Sequence, residues 1–226
     1  MKGMRLLSAI LALLCLVPLF AGAAEKADLP NVLIIGDSSY QNLVGTVTKE
    51  LKGKANVTHT PGYNGEICNT PNAVQHLDKW LGETEWDVIH FNFGFADMVH
   101  TVPGLKQIRS LPKSAGGVPA VTPEDYAKNL EQIVKMLRQK TKARLIWAST
   151  FPITKDQEGI LVTGDDERYN ALAESVMKRA NVEINDLHTY ITEQLKDVNP
   201  RQMPDPFAIH KKVPVHEPII AAITGK

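Results

Sequence analysis

The chain has 226 residues, of which 43% are hydrophobic and 22% are charged. This composition is typical of a globular protein and excludes a disordered polymer. The 25 Lys and Arg residues balance the 25 Asp and Glu residues, so the formal net charge is zero. A chain without excess positive charge offers no electrostatic reason to bind nucleic acid or an anionic membrane surface. We therefore expect binding to come from a local site.

The first 23 residues have the pattern of a secretory signal peptide. Two basic residues precede an apolar run from Leu6 to Phe20, and Ala21-Gly22-Ala23 supplies the small residues of a cleavage site. The run is shorter than the roughly 20 residues that a membrane span needs, so no span is expected after processing. We predict a signal peptide at 1–23, one domain over 24–226, and export to the periplasm or the extracellular space.

Cleavage removes Cys15 and leaves Cys68 as the one cysteine of the mature chain. A single cysteine cannot form an intramolecular disulfide in any compartment. Cys15 follows two leucines rather than a small residue, so lipidation is not expected. We expect Cys68 to be a buried, unreactive thiol.

Five short apolar runs predict the strands of a parallel sheet. The clearest is the aliphatic run at 31–37, which Pro30 and Gly36 bound and whose lack of alternation is typical of a strand buried on both faces. The other four predicted strands are 56–60, 87–94, 143–150 and 181–186.

Stretches with helical periodicity lie between these strands. The clearest is 123–140, where Thr122 is a capping residue and Pro123 occupies the first helical position. The other predicted helices are 40–52, 71–82, 165–180 and 186–197. Alternating strands and helices predict an α/β fold, a three-layer α/β/α sandwich around a five-stranded parallel, flavodoxin-like sheet.

Two stretches break this alternation. Residues 99–121 contain three prolines and three glycines without periodicity, and they predict a long connection after the third strand. Residues 199–218 contain five prolines and predict a shaped loop that leads into a short final helix. Loops at the carboxyl ends of parallel strands build the binding sites of such sheets.

A serine at the end of the first strand is the main candidate for chemistry. Gly36-Asp37-Ser38-Ser39 forms the turn into the first helix, where a serine hydroxyl projects above the sheet beside the helix N-terminus. From this turn alone, Ser38 is interpreted either as the cap of helix 40–52 or as a nucleophile.

The wider sequence resembles the SGNH (GDSL-type) hydrolase superfamily. The similarity covers nearly all of the mature chain, and some stretches are similar to a bacterial secreted subfamily. It is carried by IIGDS after the first strand, a glycine-bearing turn after the second, HFNFGFAD after the third and a late histidine.

The resemblance implies a role for each matching position. Ser38 is implied as the nucleophile, and its backbone N–H as one oxyanion donor. The glycine of the second block is implied as another backbone donor, at either Gly62 or Gly65. No cofactor is implied. Histidines do not recur at metal-ligand spacing, so no metal site is expected.

The third block departs from the family. The family reads Gly-x-Asn-Asp, whereas this chain has Gly94, Ala96 and Asp97. Ala96 lacks the side-chain donor, and losing one such donor costs about 100- to 1,000-fold in turnover. Asp97 is expected to hold the site loop. The possible substitute donors are Asn92, Asn64 and Asn69, although Asn92 and His90 alternate with apolar residues on the third strand and fit a structural role there.

The fifth block departs as well. His210 is the preferred catalytic base, and His216 is the competing candidate. The family places an Asp three residues before the base, where this chain has Phe207. Asp205 is the nearest carboxylate and the candidate for orienting the imidazole.

These features support two functions. The first is an exported serine esterase that hydrolyses carboxylic esters, with acetyl groups on carbohydrates as the expected substrate. The second is a catalytically impaired relative that binds a glycan or another ligand in the same cleft. A flavodoxin-like binding protein is the remaining alternative. The expected partner is a small-molecule or polysaccharide ester, and the sequence does not fix the oligomeric state.

Overall fold

The computed structural model describes residues 28–60, 66–105 and 109–226. The predicted signal peptide at 1–23 therefore lies outside the described residues. The central sheet has five parallel strands. They are β1 (Asn31–Ile35), β2 (Asn56–Thr60), β3 (Val88–Phe91), β6 (Arg144–Ala148) and β7 (Glu183–Asn185), with a separate antiparallel pair of β4 (His100–Thr101) and β5 (Val118–Pro119).

Helices cover both faces of the sheet. None of the described helices is long and apolar enough to cross a membrane. Three short 3₁₀ segments occupy Lys113–Ala115, Pro200–Gln202 and Pro206–Lys211. The α-helices are α1 (Ser38–Glu50), α2 (Thr70–Leu81), α3 (Phe95–Met98), α4 (Pro123–Lys140), α5 (Asp165–Arg179), α6 (Leu187–Leu195) and α7 (His216–Thr224).

The predicted α/β sandwich and its five parallel strands are confirmed. The prediction for β2 matches its observed bounds, while the predicted runs at 87–94 and 143–150 extend past the ends of β3 and β6. The extra residues after these two strands are buried although most of them are polar or glycine: Asn92, Phe93 and Gly94 follow β3, and Ser149 and Thr150 follow β6. Burial therefore continues where the sheet ladder stops.

The strand order β2-β1-β3-β6-β7 places a change of direction at β1. The chain moves one way from β1 to β2 and the opposite way from β2 to β3 and beyond. Right-handed crossovers then put α1 on one face and α2, α4 and α5 on the other. The packing agrees, because α2 contacts α4, α4 contacts α5, and α1 contacts α7.

The long connection at 99–121 has more structure than its sequence predicts. It contains β4, β5 and the 3₁₀ turn at Lys113–Ala115. The N–H of His100 donates to Ile160 O at 2.8 Å, and that of Lys113 donates to Gly159 O at 2.9 Å. The hairpin formed by β4 and β5 bonds to a segment some 50 residues further along the chain, so the local sequence does not predict this contact.

Substituting alanine for Gly94 and for Gly45 should change the free energy of unfolding in opposite directions. A Cβ at Gly94 would lie 2.0 Å from Thr150 Oγ1, whereas a Cβ at Gly45, inside α1, meets nothing within 4 Å. We expect Gly94→Ala to lower the free energy of unfolding by about 1–3 kcal/mol through overpacking. We expect Gly45→Ala to raise it by about 0.5–1 kcal/mol, because alanine favours the helix.

Urea denaturation of both variants beside the parent chain measures the two changes. Equal and small effects at both positions would show that Thr150 moves aside, and that the turn after β3 is looser than this packing implies.

Candidate active site

A cleft of about 630 Å³ opens at the carboxyl ends of β1 and β3. This is where the direction of the sheet reverses, and ligands of open parallel sheets bind at such points. Asp37 and Ser38 line it after β1, and Phe95 and Ala96 line it after β3. The opposite wall comes from the turn between Lys155 and Leu161, and a third side from the segment between Met203 and Phe207.

Ser38 presents a free hydroxyl to this cleft. It is the first residue of α1 and is exposed. The helix is capped by Asp37, whose Oδ1 accepts from Ser39 N at 2.9 Å and from Ser39 Oγ at 2.6 Å. The interpretation of Ser38 as the cap is therefore wrong: the carboxylate one residue earlier takes that role. Among the described residues, the Ser38 hydroxyl has no hydrogen-bond partner.

The first turn of α1 also leaves one amide free. The N–H of Ser39 donates to the Asp37 side chain, and the N–H of Tyr40 donates to Asp37 O at 3.0 Å. The N–H of Ser38 has no acceptor among the described residues. A helix N-terminus attracts negative charge, so this amide is suited to an oxyanion that forms beside the Ser38 hydroxyl.

The third-block residues divide between the cleft and its support. Ala96 is half-buried and faces the cleft with a methyl group. Asp97 is completely buried, and its Oδ1 accepts from Thr70 N at 2.8 Å and from Thr70 Oγ1 at 2.6 Å. Asp97 therefore ties the turn after β3 to the start of α2, as expected for a residue that holds the site loop.

Asn92 belongs to the sheet and not to the cleft. Its Nδ2 donates to Ala148 O at 2.9 Å and to Thr150 Oγ1 at 3.0 Å, so both amide hydrogens are used. The candidate role of Asn92 as an oxyanion donor is corrected on this ground. Asn69 caps α2 through its Oδ1. Asn64, Gly62 and Gly65 lie outside the described residues, and their roles stay predictions.

His210 lies on the 3₁₀ segment Pro206–Lys211, which borders the cleft, and Asp205 caps the start of that segment. Asp205 lines the cleft, and its Oδ1 accepts from Phe207 N at 2.9 Å. His210 is half-buried and is not among the lining residues. Because residues three apart eclipse in a 3₁₀ helix, it lies on the same face as Phe207, about 6 Å further along. The described contacts include no hydrogen bond from His210 to Ser38 or to Asp205.

His216 is too far from Ser38 to act as its base. It begins α7, and its Nε2 lies 3.3 Å from Glu50 Oε1. Glu50 ends α1, and Ser38 begins it. Twelve helical steps of 1.5 Å separate these two positions by roughly 18 Å. The preference for His210 over His216 therefore agrees with the geometry of α1.

A buried polar network supports the floor of the cleft, and the sequence does not reveal it. Asn170 accepts from Thr150 N at 2.8 Å and donates to Thr150 O at 2.9 Å. Thr150 Oγ1 donates to Phe93 O at 3.1 Å, and Tyr169 OH donates to Val121 O. Asn170 thus fixes the turns after β3 and β6 through Thr150, while Tyr169 fixes the segment before α4.

A hydrogen-bonded His–Asp pair lies outside the cleft. His188 Nε2 is 2.8 Å from Asp166 Oδ2, and Ser149 Oγ donates to Asp186 Oδ1 at 2.9 Å. The same Ser149 Oγ accepts from His188 N at 2.8 Å, so its hydroxyl is fully engaged. These residues therefore anchor α6 to the sheet, and they do not form a second nucleophile.

Two other buried groups behave as the sequence predicts. Cys68 is buried, and burial raises the pKa of its thiol well above the ordinary value, so it stays protonated. His90 Nε2 lies 3.1 Å from Asn185 Nδ2. Burial lowers the pKa of His90 to about 3, which keeps the ring neutral and in a structural role. Neither group contributes charge to the cleft.

Two carboxyl groups in the turns after β1 and β3 are buried. Burial raises the pKa of Asp97 to about 7, against the lowering effect of its hydrogen bonds from Thr70. Burial also raises the pKa of Asp37, against the hydrogen bonds from Ser39. One oxygen of each, Asp37 Oδ2 and Asp97 Oδ2, is buried without a described hydrogen-bond partner. Ionising either group in this region is therefore costly.

Comparisons with known proteins identify the fold. An acetyl xylan esterase is 16% identical, with a TM-score of 0.64 over 85% of this chain and 99% of that one. A lipase/acylhydrolase from Enterococcus faecalis is 14% identical, with a TM-score of 0.60 over 87% and 96%. A GDSL-like lipase from Bacteroides thetaiotaomicron is 12% identical, with a TM-score of 0.59 over 86% of each chain.

Sequence comparison adds nothing to this likeness. No known family profile matches the chain, and no curated protein matches it by sequence. At these identities the solved structures establish the fold alone. The chain has the α/β fold of the SGNH hydrolases, and the resemblance predicted from its motifs is confirmed at that level.

Asp97 predicts a pH dependence of stability. Its pKa is about 7 in the folded chain against an ordinary value of 3.8. Between these values the folded state holds a proton that the unfolded state has lost, so this group's contribution to stability falls as pH rises from about 4 to about 7. Asp97→Asn keeps an oxygen for Thr70 and does not ionise. We expect it to flatten this fall.

Urea denaturation at a series of pH values measures the slope for both proteins. Asp166→Asn is the control of opposite sign, because hydrogen bonds from His188 and from backbone amides outweigh burial and lower the Asp166 pKa. Its contribution to stability rises with pH only up to about its ordinary pKa of 3.8, so removing it should lower stability without changing the slope between about pH 4 and 7. An unchanged slope in Asp97→Asn would mean that Asp97 titrates near its ordinary value.

Proposed function

We propose that this chain is an exported serine esterase of the SGNH type that hydrolyses carboxylic esters with Ser38 as its nucleophile. The observation that carries the proposal is the Ser38 hydroxyl, which lies in the cleft without a capping role because Asp37 caps α1. An uncommitted hydroxyl beside a free amide at a helix N-terminus combines a nucleophile with an oxyanion donor.

The proposed reaction has two stages. Ser38 Oγ attacks the ester carbonyl while His210 accepts its proton, and the tetrahedral oxyanion is bound by the N–H of Ser38. The intermediate collapses to an acyl-enzyme as His210 returns the proton to the leaving alcohol. Water then attacks the acyl-enzyme by the same route and releases the acid. Formation of the complex must bring the His210 ring to Ser38, since catalytic hydrogen bonds often tighten only with substrate bound.

The proposed substrates are carboxylic esters, including acetyl groups on carbohydrates. Support comes from the cleft volume of about 630 Å³ and from a structural neighbour described as an acetyl xylan esterase. The cleft is open and mixed in character, with apolar side chains such as Ile67 and Leu161 beside polar ones such as Ser110 and Gln157. Such a surface accommodates an acyl group next to a hydroxyl-rich alcohol.

A second candidate function is ligand binding without turnover. It is favoured by the position of His210, which does not line the cleft, and by Ala96, which presents no donor where the family has one. In this second function the cleft keeps its shape and binds a ligand, but Ser38 does not react with it. The two functions differ in whether Ser38 reacts.

Labelling by a fluorophosphonate probe tests the nucleophile. We expect slow labelling of the parent chain and none of Ser38→Ala, with a similar melting temperature for both. Ser39→Ala is the matched control, because Ser39 Oγ is buried and donates to Asp37. It should keep the label while losing about 1 kcal/mol of stability with this hydrogen bond.

Two results count against the esterase. Labelling of Ser38→Ala at the parent rate would remove Ser38 from the mechanism. Absence of labelling in the folded parent chain would favour binding without turnover.

Ala96→Asn tests the missing donor. If the oxyanion is short of one hydrogen bond, restoring an amide at this half-buried position should raise kcat on p-nitrophenyl acetate and leave KM nearly unchanged, because the donor acts on charge that appears only in the transition state. Full recovery corresponds to about 2.7–4 kcal/mol of transition-state stabilisation.

Steady-state kinetics of both proteins, with Ser38→Ala as the blank, measure this gain. An unchanged kcat in a folded variant would mean either that another group already binds the oxyanion or that the deficit lies in His210 and Asp205, and the second case alone should respond to a new carboxylate. Adding Phe207→Asp, which places a carboxylate three residues before His210, should then raise kcat.

A further inference from the structure

The cleft contains an aromatic group that ester hydrolysis itself does not require. Phe207 is 39% exposed although it is a large apolar side chain, and it lines the cleft. Its ring packs edge-on against Phe95, with centroids 5.2 Å apart and an interplanar angle of 62°. Phe95 is buried and holds the Phe207 ring in place. A fixed, exposed aromatic ring in a cleft is a surface on which a ligand packs.

The cleft that contains this ring is lined by more acidic than basic side chains. Asp156, Glu158 and Asp205 line the cleft and are exposed, and Asp37 lies at its base. Within the described lining, Lys155 is the single cation. None of these four acidic side chains, nor Lys155, takes part in a described ion pair. A cleft lined mainly by one sign of charge concentrates ligands of the opposite sign.

One of these carboxylates has an unused oxygen in the interior. Asp37 is 7% exposed, lines the cleft and uses Oδ1 to cap α1. Its Oδ2 is buried with no described hydrogen-bond partner. Burial raises the Asp37 pKa, and a bound cation would stabilise the ionised form. Because this oxygen is buried, a cation bound in the cleft would act on it through the electrostatic field and not by direct contact.

We propose that the cleft binds the substituted ammonium group of a cationic ester, placing it against the Phe207 ring and between the carboxylates of Asp156, Glu158 and Asp205. Binding of the cation does not depend on the proposed esterase function, whereas hydrolysis of the bound ester does. Cations bind the negative faces of aromatic rings, and quaternary ammonium groups are recognised by aromatic side chains combined with acidic ones. An organic cation fits better than a metal ion, since the described residues contain no group of three or more His, Cys, Asp or Glu arranged as metal ligands.

Binding to Ser38→Ala protein tests the inference without any turnover. Acetylcholine and 3,3-dimethylbutyl acetate have the same shape and differ in one atom, a charged nitrogen in place of a neutral carbon. Isothermal titration calorimetry of each gives its dissociation constant. We expect acetylcholine to bind about tenfold more tightly than its neutral isostere. Raising the ionic strength from about 0.01 to about 0.15 M, which shortens the Debye length from about 30 to about 8 Å, should reduce the difference.

Three variants in the same background locate the determinants. Phe207→Leu keeps an apolar side chain but removes the ring, and the double variant Asp156→Asn/Glu158→Gln keeps shape but removes two charges. Each should weaken acetylcholine severalfold and leave the neutral isostere nearly unchanged. Glu193→Gln is the matched control, because Glu193 is an exposed acid on α6 that pairs with Lys196 and does not line the cleft. It should change neither affinity.

Two outcomes overturn the inference. One is equal affinity for acetylcholine and the neutral isostere, and the other is a charge preference that survives both cleft variants. The esterase proposal fails by a different observation, absence of Ser38 labelling, so the two failures are separable. Preferential binding of acetylcholine by a chain that hydrolyses neither compound would uphold the ammonium site and reject the esterase.

Discussion

Strand β1 lies between β2 and β3, and the right-handed connections on its two sides send the chain to opposite faces of the sheet. The two strand ends that meet at this reversal leave a crevice which neither set of helices can cover. Every residue of the candidate site depends on this constraint. It brings Ser38 and Ala96, which are distant in sequence, to one cleft. The complete burial of Val32–Ile35 fixes the strand from which the crevice opens.

The residues beneath the crevice are polar, and their hydrogen bonds make the turn after β3 specific. Asn92, Thr150 and Asn170 connect the ends of β3 and β6 to α5, while Asp97 connects the same turn to α2 through Thr70. Buried polar groups that are satisfied in one arrangement only disfavour the alternatives. The same floor carries an electrostatic cost, since burial raises the pKa of both Asp37 and Asp97. The site combines a rigid support with carboxyl groups that resist ionisation.

The cleft presents an uncommitted serine hydroxyl beside an incomplete set of polar partners. Asp37 caps α1 and so leaves the Ser38 hydroxyl uncommitted. Ala96 supplies no side-chain donor, and Asp205 uses one oxygen to cap its own 3₁₀ segment. In the proposed ammonium site, the acidic side chains and the Phe207 ring would favour a positively charged ligand whether or not an ester is hydrolysed. The proposed recognition and the proposed hydrolysis therefore depend on different residues of the same cleft.

The sequence by itself determined the fold class, the five strands, the major helices and the position of Ser38, because each depends on local periodicity or on a short motif near a strand end. It also identified Cys68 as a buried thiol and Asp97 as a support for the site loop.

The sequence did not distinguish the roles of Asp37 and Ser38, since either side chain can cap a helix and only the backbone geometry selects one. It listed Asn92 as a possible donor, but the acceptors that use both of its amide hydrogens are 56 and 58 residues away. His216 was excluded only when its contact with Glu50 placed it at the far end of α1. The wall formed by the turn from Lys155 to Leu161 also depends on its long-range contacts with the hairpin after β3. These outcomes were decided by tertiary structure, because they depend on which distant groups are brought within hydrogen-bond distance.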